Sequence, residues 1–340
     1  MADNKLLTIA IPTYNGAKTI TNVLDLLLCQ YDERVEILIS DNASTDETEK
    51  IIEDYLNDYP YIKYIRNDNN IGPDSNFLQC MEMSEGKYTL LLSDDDVLVE
   101  GSLRIILDFL EKNGDMSLVY LNAAGFRERY IDIEHCVKYD YAIYDNKEFI
   151  TDDRKLFMRY AGRMWGFLSC FLWLTKAFRS IEYADEYKGT NWLQSYIHII
   201  CSQYGNKNLG IIAKICIGAG IYNIVSNFNS GVVDGINYRK MLDFAVEYGN
   251  FDKRQLDKLF VWRICFISKR AIIKERAAGV KKTYIRDIFK CTVKYPSAWF
   301  RLYPVFLFPA FVCRIIVNIN NRIKSYSDKI RENRVGDIVG

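Results

Sequence analysis

Between Leu6 and Leu121 the chain repeats one pattern four times, a short apolar run followed by a polar turn and a stretch with apolar residues at helical spacing. A fifth apolar run closes the series. The runs are Leu6–Pro12, Val35–Ser40, Tyr61–Ile65, the segment ending at Ser93, and Ser117–Leu121. The helical stretches are Thr19–Tyr31, one from the Ser44–Glu47 turn to about Asn57, Pro73–Ser84 and about 100–113. Ser44-Thr-Asp-Glu47 has the pattern of a capping box at the head of the second helix. Strands that alternate with helices at this spacing need crossover connections, which predicts a parallel sheet with helices on both faces.

The fourth run, Lys87-Tyr-Thr-Leu-Leu-Leu-Ser-Asp-Asp-Asp-Val-Leu98, ends in three consecutive carboxylates, Asp94, Asp95 and Asp96. Acids at the end of a buried strand stand on a rigid mount. Their hard oxygens suit Mg²⁺ or Mn²⁺ held against a diphosphate. In open α/β sheets, ligands bind outside the carboxyl ends of the strands, and Asp41 after the second run falls at the same level.

Several function classes are disfavoured. No GxGxxG follows the first strand and no GxxxxGK[ST] occurs, which argues against a dinucleotide oxidoreductase or a P-loop enzyme. Nine cysteines without a CxxC pair, and only His135 and His198, give no zinc ligand set. Scattered free thiols point to a reducing compartment, and Met1-Ala-Asp-Asn-Lys5 leads straight into a strand without a leader-like segment.

The net charge is zero, but it is unevenly spread. Residues 1–249 carry 24 Lys+Arg against 37 Asp+Glu, and residues 250–340 carry 20 against 7. The basic back half includes Tyr295-Pro-Ser-Ala-Trp-Phe-Arg-Leu-Tyr-Pro-Val-Phe-Leu-Phe-Pro-Ala-Phe-Val-Cys-Arg314, with twelve uncharged residues between Arg301 and Arg314. That stretch is too short and too proline-broken for a spanning helix, which needs about 20 apolar residues. It suits an interfacial segment against anionic lipid. A helical cap with a basic solvated face is the plainer alternative. Nucleic acid is disfavoured, because no reading motif accompanies the charge.

Four segments together, Ile11-Pro-Thr-Tyr-Asn15, Ser40-Asp-Asn-Ala-Ser-Thr-Asp46, Asn70-Ile-Gly72 and Asp94-Asp-Asp96, resemble the successive signatures of family-two glycosyltransferases of the GT-A fold. The resemblance is strong over about residues 6–125 and fades towards 215. It implies a Rossmann-like, mostly parallel sheet flanked by helices, with a C-terminal helical extension on the membrane. A catalytic domain would span 1–218 (donor half about 1–125, acceptor half about 126–218), followed by a basic, aromatic helical region over 219–340.

On this resemblance, Pro12, Thr13, Tyr14, Asp41, Asp94 and Asp95 would bind the donor nucleotide. Asp96, with Asp94, would bind Mn²⁺ or Mg²⁺. An inverting transfer needs a general base, for which Asp185 stands first and Glu186 second. Thr190-Asn191 occupies the place where relatives most often carry Glu-Asp. Trp165, Trp192 and Gln194 would contact the acceptor, although core packing is the plainer reading of both tryptophans.

The implied activity is transfer from a nucleotide-sugar to a polyprenyl-diphosphate-linked glycan, in bacterial capsule or O-antigen synthesis. The enzyme would sit in the cytoplasm, peripheral on the inner face of the plasma membrane. A polyprenyl-phosphate sugar synthase and a catalytically silent nucleotide-sugar binding module are the alternatives.

Overall fold

The computed structural model describes residues 5–127, 130, 132–139, 142–182, 184–221, 231–279 and 285–320. The basic run from 321 onwards, positions 222–230, and Tyr183 beside the expected base lie outside the described residues. The chain divides into two units, Met1–Val225 with Phe244–Asp252, and Ser226–Asp243 with Lys253–Gly340. The segment Phe244–Asp252 belongs with the first unit.

In the first unit, strands β1 (Leu7–Thr13), β2 (Val35–Asp41), β3 (Lys63–Arg66) and β4 (Tyr88–Leu91) alternate with helices α1 (Ile20–Leu28), α2 (Thr48–Asp58) and α3 (Pro73–Met83). There follow β5 (Val97–Leu98), α4 (Ser102–Asn113), β6 (Leu118–Phe126), β7 (Glu148–Thr151), α5 (Arg154–Ala161), β8 (Phe171–Leu174), α6 (Thr175–Arg179), α7 (Leu193–Cys201) and β9 (Leu209–Gly220). The nine-stranded sheet runs β3-β2-β1-β4-β8-β6-β9-β5, and β7 also pairs with β9. Strands β1 and β2 are buried along their whole length, as strands covered on both faces must be. Helix α1 buries Ile20, Val23, Leu24 and Leu27, one stripe at 3.6-residue spacing.

The half β3-β2-β1-β4 is wholly parallel, as the alternation requires. The other half is mixed. Strand β8 is antiparallel to both β4 and β6, and β5 and β7 run antiparallel to β9. The stretch 126–153, which reads as a long polar connection, contains β7.

Strand β1 pairs with β2 as far as Thr13↔Asp41, but with β4 only as far as Ala10↔Leu91. Past Ala10 the two neighbours diverge, so Pro12 sits where a missing N–H is tolerated. The chain winds from β1 outwards to β2 and β3, then returns to the opposite side of β1 as β4. The mouth between β1 and β4 is thus the topological switch point.

The turn after β2 departs from the capping-box expectation. Ser44 donates its hydroxyl to Asp41 Oδ1 at 2.6 Å, and Asp46 Oδ1 accepts the Thr48 amide at 3.1 Å. Ser44 is drawn back to the buried carboxylate, so α2 begins only at Thr48. Between them Ala43 adopts φ 61°, the left-handed region that a Cβ disfavours.

The second unit is helical: a π-helix (Gly231–Asn237), α9 (Lys253–Trp262), a π-helical turn (Arg263–Ser268), α10 (Lys269–Ala277), α11 (Ile285–Thr292), α12 (Pro296–Arg301) and α13 (Tyr303–Leu307). Helix α8 itself (Tyr238–Glu247) begins in this unit. Buried Arg239 bonds Asp243 at 2.6 Å, Asp257 at 2.8 Å and the Tyr295 hydroxyl at 3.2 Å. Asp234 pairs with Arg263 at 2.9 Å.

Replacing Ala43 by Gly is expected to stabilise the fold by about 0.5–1 kcal/mol, the left-handed strain outweighing the added chain entropy. Denaturant unfolding measures it. Equal or lower stability would mean that the turn carries no strain.

Candidate active site

The acid triplet stands at the switch point. Strand β4 ends at Leu91, and Asp94 and Asp95 form a turn before β5 begins at Val97. Asp94 Oδ2 accepts the Thr13 hydroxyl at 2.5 Å, a bond that bridges the mouth between β1 and β4. Gly16 makes room for it, since a Cβ there would lie 2.5 Å from both Asp94 Oδ2 and Thr13 Oγ1. Burial, opposed by the Thr13 bond and aided by the Asp95 charge, pushes the Asp94 carboxyl up to about 6.

Asp96 is the most deeply held of the three. Its Oδ2 accepts the Ser169 hydroxyl at 2.6 Å, and its Oδ1 accepts the backbone N–H of Gly220 at 3.0 Å. Ser169 Oγ in turn accepts the Ser93 N–H at 3.0 Å. One serine thereby ties the acid loop to the turn that leads into β8. Burial, reinforced by the neighbouring Asp95 charge, drives the Asp96 carboxyl well above the usual carboxylate range. Asp95 accepts the Ser93 hydroxyl at 2.6 Å and is also raised by burial.

Three neighbouring desolvated acids make a site short of positive charge. Among the described residues no three His, Cys, Asp or Glu side chains converge to cage a metal by themselves. An ion of the Mg²⁺ or Mn²⁺ type, held through one or two carboxylates with water and substrate phosphates completing its shell, would not require such a cage. Asp94 and Asp96 would hold it.

On the other side of β1, Asp41 is fully buried and both its oxygens are engaged. Oδ1 accepts the Ser44 amide and hydroxyl, at 2.8 and 2.6 Å, and Oδ2 accepts the Tyr64 hydroxyl at 3.0 Å. Arg66 Nε lies 3.6 Å from Oδ2 and Arg66 Nη2 donates to the Ser44 carbonyl at 2.9 Å. In this conformation Asp41 shapes the pocket wall through Ser44, Tyr64 and Arg66. Asn42 is buried beside it, accepting the Ile71 N–H at 2.9 Å and donating to Asn70 Oδ1 at 3.0 Å. That pair explains why Asn70-Ile-Gly72 accompanies the other signatures. Pro12 and Thr13 are buried, while Tyr14 presents an exposed ring at the rim.

The acceptor-side residues divide differently. Trp165 is 1% exposed, and its ring is enclosed by Phe157, Phe171, His198 and Phe251. A ring covered on its faces cannot stack on a sugar, so the contact expected of Trp165 gives way to core packing. Trp192 is likewise buried, against Gly166, where a Cβ would lie 2.4 Å from the indole. Gln194 Nε2 donates to the Gly166 carbonyl at 2.8 Å. Asp185 and Glu186 are exposed on a 3₁₀ turn, and Asp185 pairs with Lys188 at 2.5 Å. The same turn is tied to the head of α3, because the Gly189 N–H donates to Asp74 Oδ2 at 2.6 Å. No contact joins either acid to Asp94, Asp95 or Asp96 among the described residues.

Three positions that the sequence reading passed over complete the site: Gly16, Ser169 and Gly220. Gly16 follows the Pro-Thr-Tyr-Asn turn and was open to notice. The other two meet Asp96 only through the sheet.

Known proteins resemble this chain in sequence and in fold. Residues 8–169 match the sequence profile of Glycosyl transferase family 2. Abequosyltransferase RfbV of Salmonella typhimurium is 39% identical over 116 residues, 33% of this chain and 35% of that protein. The GalNAc(5)-diNAcBac-PP-undecaprenol beta-1,3-glucosyltransferase of Campylobacter jejuni is 26% identical over 125 residues, 33% of this chain and 40% of that one. The chain thus spans about two-fifths or less of the length of these curated relatives. S. aureus TarS 1–349, solved in complex with UDP, superposes with a TM-score of 0.59 at 16% identity, over 84% of this chain and 81% of that one. Its complex with UDP-GlcNAc gives 0.60 at 15% identity, over 84% and 79%. With its signatures gathered at one crevice, the chain is similar over residues 8–169 to glycosyl transferase family 2 and shares its fold with TarS.

Proposed function

We propose that the protein transfers a sugar from a nucleotide-sugar donor to a hydroxyl of a growing bacterial surface glycan, with inversion at the anomeric carbon. The observation that carries this reading is the Thr13–Asp94 bond across the switch point, with a desolvated acid cluster directly behind it. A nucleoside diphosphate laid in that crevice would meet Pro12, Thr13 and Tyr14 on one side and Asp94 and Asp95 on the other. Mn²⁺ or Mg²⁺ bound by Asp96 and Asp94 would supply the charge that neutralises the departing diphosphate. Asp185 is the proposed base, with Glu186 second. Its carboxylate would take the proton from the acceptor hydroxyl as that oxygen attacks opposite the leaving group.

The acceptor proposed is a polyprenyl-diphosphate-linked glycan, and the C-terminal unit supports that choice. No single described helix is long and apolar enough to cross a membrane. The segments Pro296–Leu307 and Ala310–Asn320, however, form an apolar pair bent by 108°. Phe300 is 83% and Leu307 82% exposed, and Trp299, Phe311, Ile315 and Ile319 are exposed beside them in the chain. At the bend, Arg276 donates to the Phe308 carbonyl, and Arg314 donates to Ala277 O at 3.1 Å. Large aromatic and aliphatic side chains left in water, with exposed Arg301 and Arg314 among them, suit the interface of an anionic bilayer. This would hold the enzyme on the inner face of the plasma membrane, within reach of a lipid-linked acceptor.

Titration calorimetry of UDP, GDP, CDP and dTDP with Mn²⁺ tests the donor site. One nucleotide is expected to bind the wild type in a metal-dependent way and to lose that binding in Asp96→Ala. Ser169→Ala, which removes a support of the metal ligand, is expected to weaken it about 10- to 100-fold. Binding indifferent to metal and to both substitutions would contradict the reading.

For the membrane, the double variant Phe300→Glu/Leu307→Glu is expected to abolish co-sedimentation with phosphatidylglycerol vesicles while leaving nucleotide binding intact. Undiminished sedimentation would place the contact elsewhere.

A further inference from the structure

Away from the acid cluster, the first unit has a second cleft, of about 620 Å³, within the range of small-ligand sites. It opens where the outer edge of β9 lacks a partner strand. Strand β7 pairs with β9 over Leu209–Ile212, and β5 pairs with it at Ile217 and Gly218. Ala213, Lys214 and Ile215, between them, line the cleft.

A bulge fixes this gap. The register against β6 slips from Leu121↔Ile212 to Asn122↔Ile215. The fully buried Asn122 amide fills the break, donating to Ala213 O and Ile143 O, each at 2.9 Å. The cleft floor is therefore pinned by a satisfied polar residue in the core.

The walls carry polar groups with unused bonding capacity. Tyr130 lines the cleft and is only 6% exposed, yet its hydroxyl has no hydrogen-bond partner among the described residues. Burial and the nearby Asp132 and Glu100 charges push the phenol up to about 12, so it remains a donor. The Glu100 carboxylate has no ion-pair partner among the described residues. Lys138 stands 5.4 Å over the Tyr144 ring. Val99, Ile105, Ile133 and Ile215 supply apolar surface between these groups.

Three carboxylates line the cleft, Glu100, Asp132 and Asp145, against two ammonium groups, Lys138 and Lys214. A phosphate-rich or otherwise anionic ligand would meet more repulsion than attraction there. Donors and acceptors alternating with apolar patches match an uncharged polyhydroxylated ligand, which offers hydroxyls at its rim and C–H faces between them. Val99, which lines the cleft, follows Asp96 by three residues across the short strand β5.

We propose that this cleft binds an uncharged stretch of oligosaccharide, holding the acceptor glycan at a point remote from the sugar that receives the transfer. The acceptor role rests on the glycosyltransferase reading above. The carbohydrate site itself does not.

The test uses saturation-transfer NMR and calorimetry with maltohexaose, cellohexaose and chitohexaose, and with a heparin hexasaccharide as the anionic control. At least one uncharged hexasaccharide is expected to bind the wild type in preference to the heparin fragment. Ile215→Trp, which fills the cleft, is expected to abolish that binding. Tyr130→Phe, which removes only the hydroxyl, is expected to weaken it roughly fivefold, the worth of one neutral hydrogen bond. Retained Mn²⁺–nucleotide binding in both variants shows that each still folds.

The proposal is overturned if no uncharged hexasaccharide binds, if the heparin fragment binds better, or if Ile215→Trp binds like the wild type. Sugar binding without any nucleotide binding in the wild type would leave the cleft standing and remove the transferase reading.

Discussion

The carboxylate of Asp96, buried and bonded to Ser169 and Gly220, is the constraint on which the rest of the site depends. Burying one acid next to two others costs several kcal/mol in repulsion and desolvation unless a cation or strong donors compensate. The fold supplies the Ser169 hydroxyl and Gly220 N–H to Asp96, the Thr13 hydroxyl and the Tyr14 backbone to Asp94, and the Ser93 hydroxyl to Asp95. These bonds orient the acids without neutralising them. What remains is a crevice lined by buried acids, where on the proposed reading a divalent ion would bring the positive charge that meets a diphosphate.

That arrangement draws on the whole sheet. Asp94 is positioned by β1 through Thr13, and Asp96 by the turn before β8 and the end of β9. The parallel half provides the switch point, and the antiparallel β8 and long β9 close its far side. The aromatic core around Trp165, Phe171, Trp173 and His198 lies under the same turn that carries Ser169. His198 is fully buried, accepts the Trp173 indole N–H at 3.1 Å, and is held well below its usual range by desolvation, so it serves as a neutral packing element. Aromatic mass in this region stabilises the platform beneath the acid turn.

The parallel half of the fold was legible because it rests on local signals, apolar runs followed by helical spacing. The acid triplet was legible for the same reason: three like residues at a strand end stand out in any reading. Ser169 and Gly220 were not, because they meet Asp96 across 73 and 124 residues of chain and have no local pattern of their own. Trp165 misled for a related reason. An aromatic in a dense apolar stretch looks the same whether it faces a ligand or a core, and only the positions of Phe157 and Phe251 decide. Ser44 shows the limit of motif reading at short range. Its capping pattern is intact, but the buried Asp41 carboxylate three residues earlier is the stronger acceptor.

On the proposed reading, the Asp94–Asp96 turn receives a metal–diphosphate pair at the switch point. The most direct measurement is an anomalous difference map at the manganese edge, from crystals grown with Mn²⁺ and a nucleoside diphosphate. The account predicts a single strong peak beside the Asp94 and Asp96 carboxylates, with nucleotide density reaching the β1 turn at Thr13. A peak elsewhere, or nucleotide bound in this crevice with no manganese beside the acids, would contradict it.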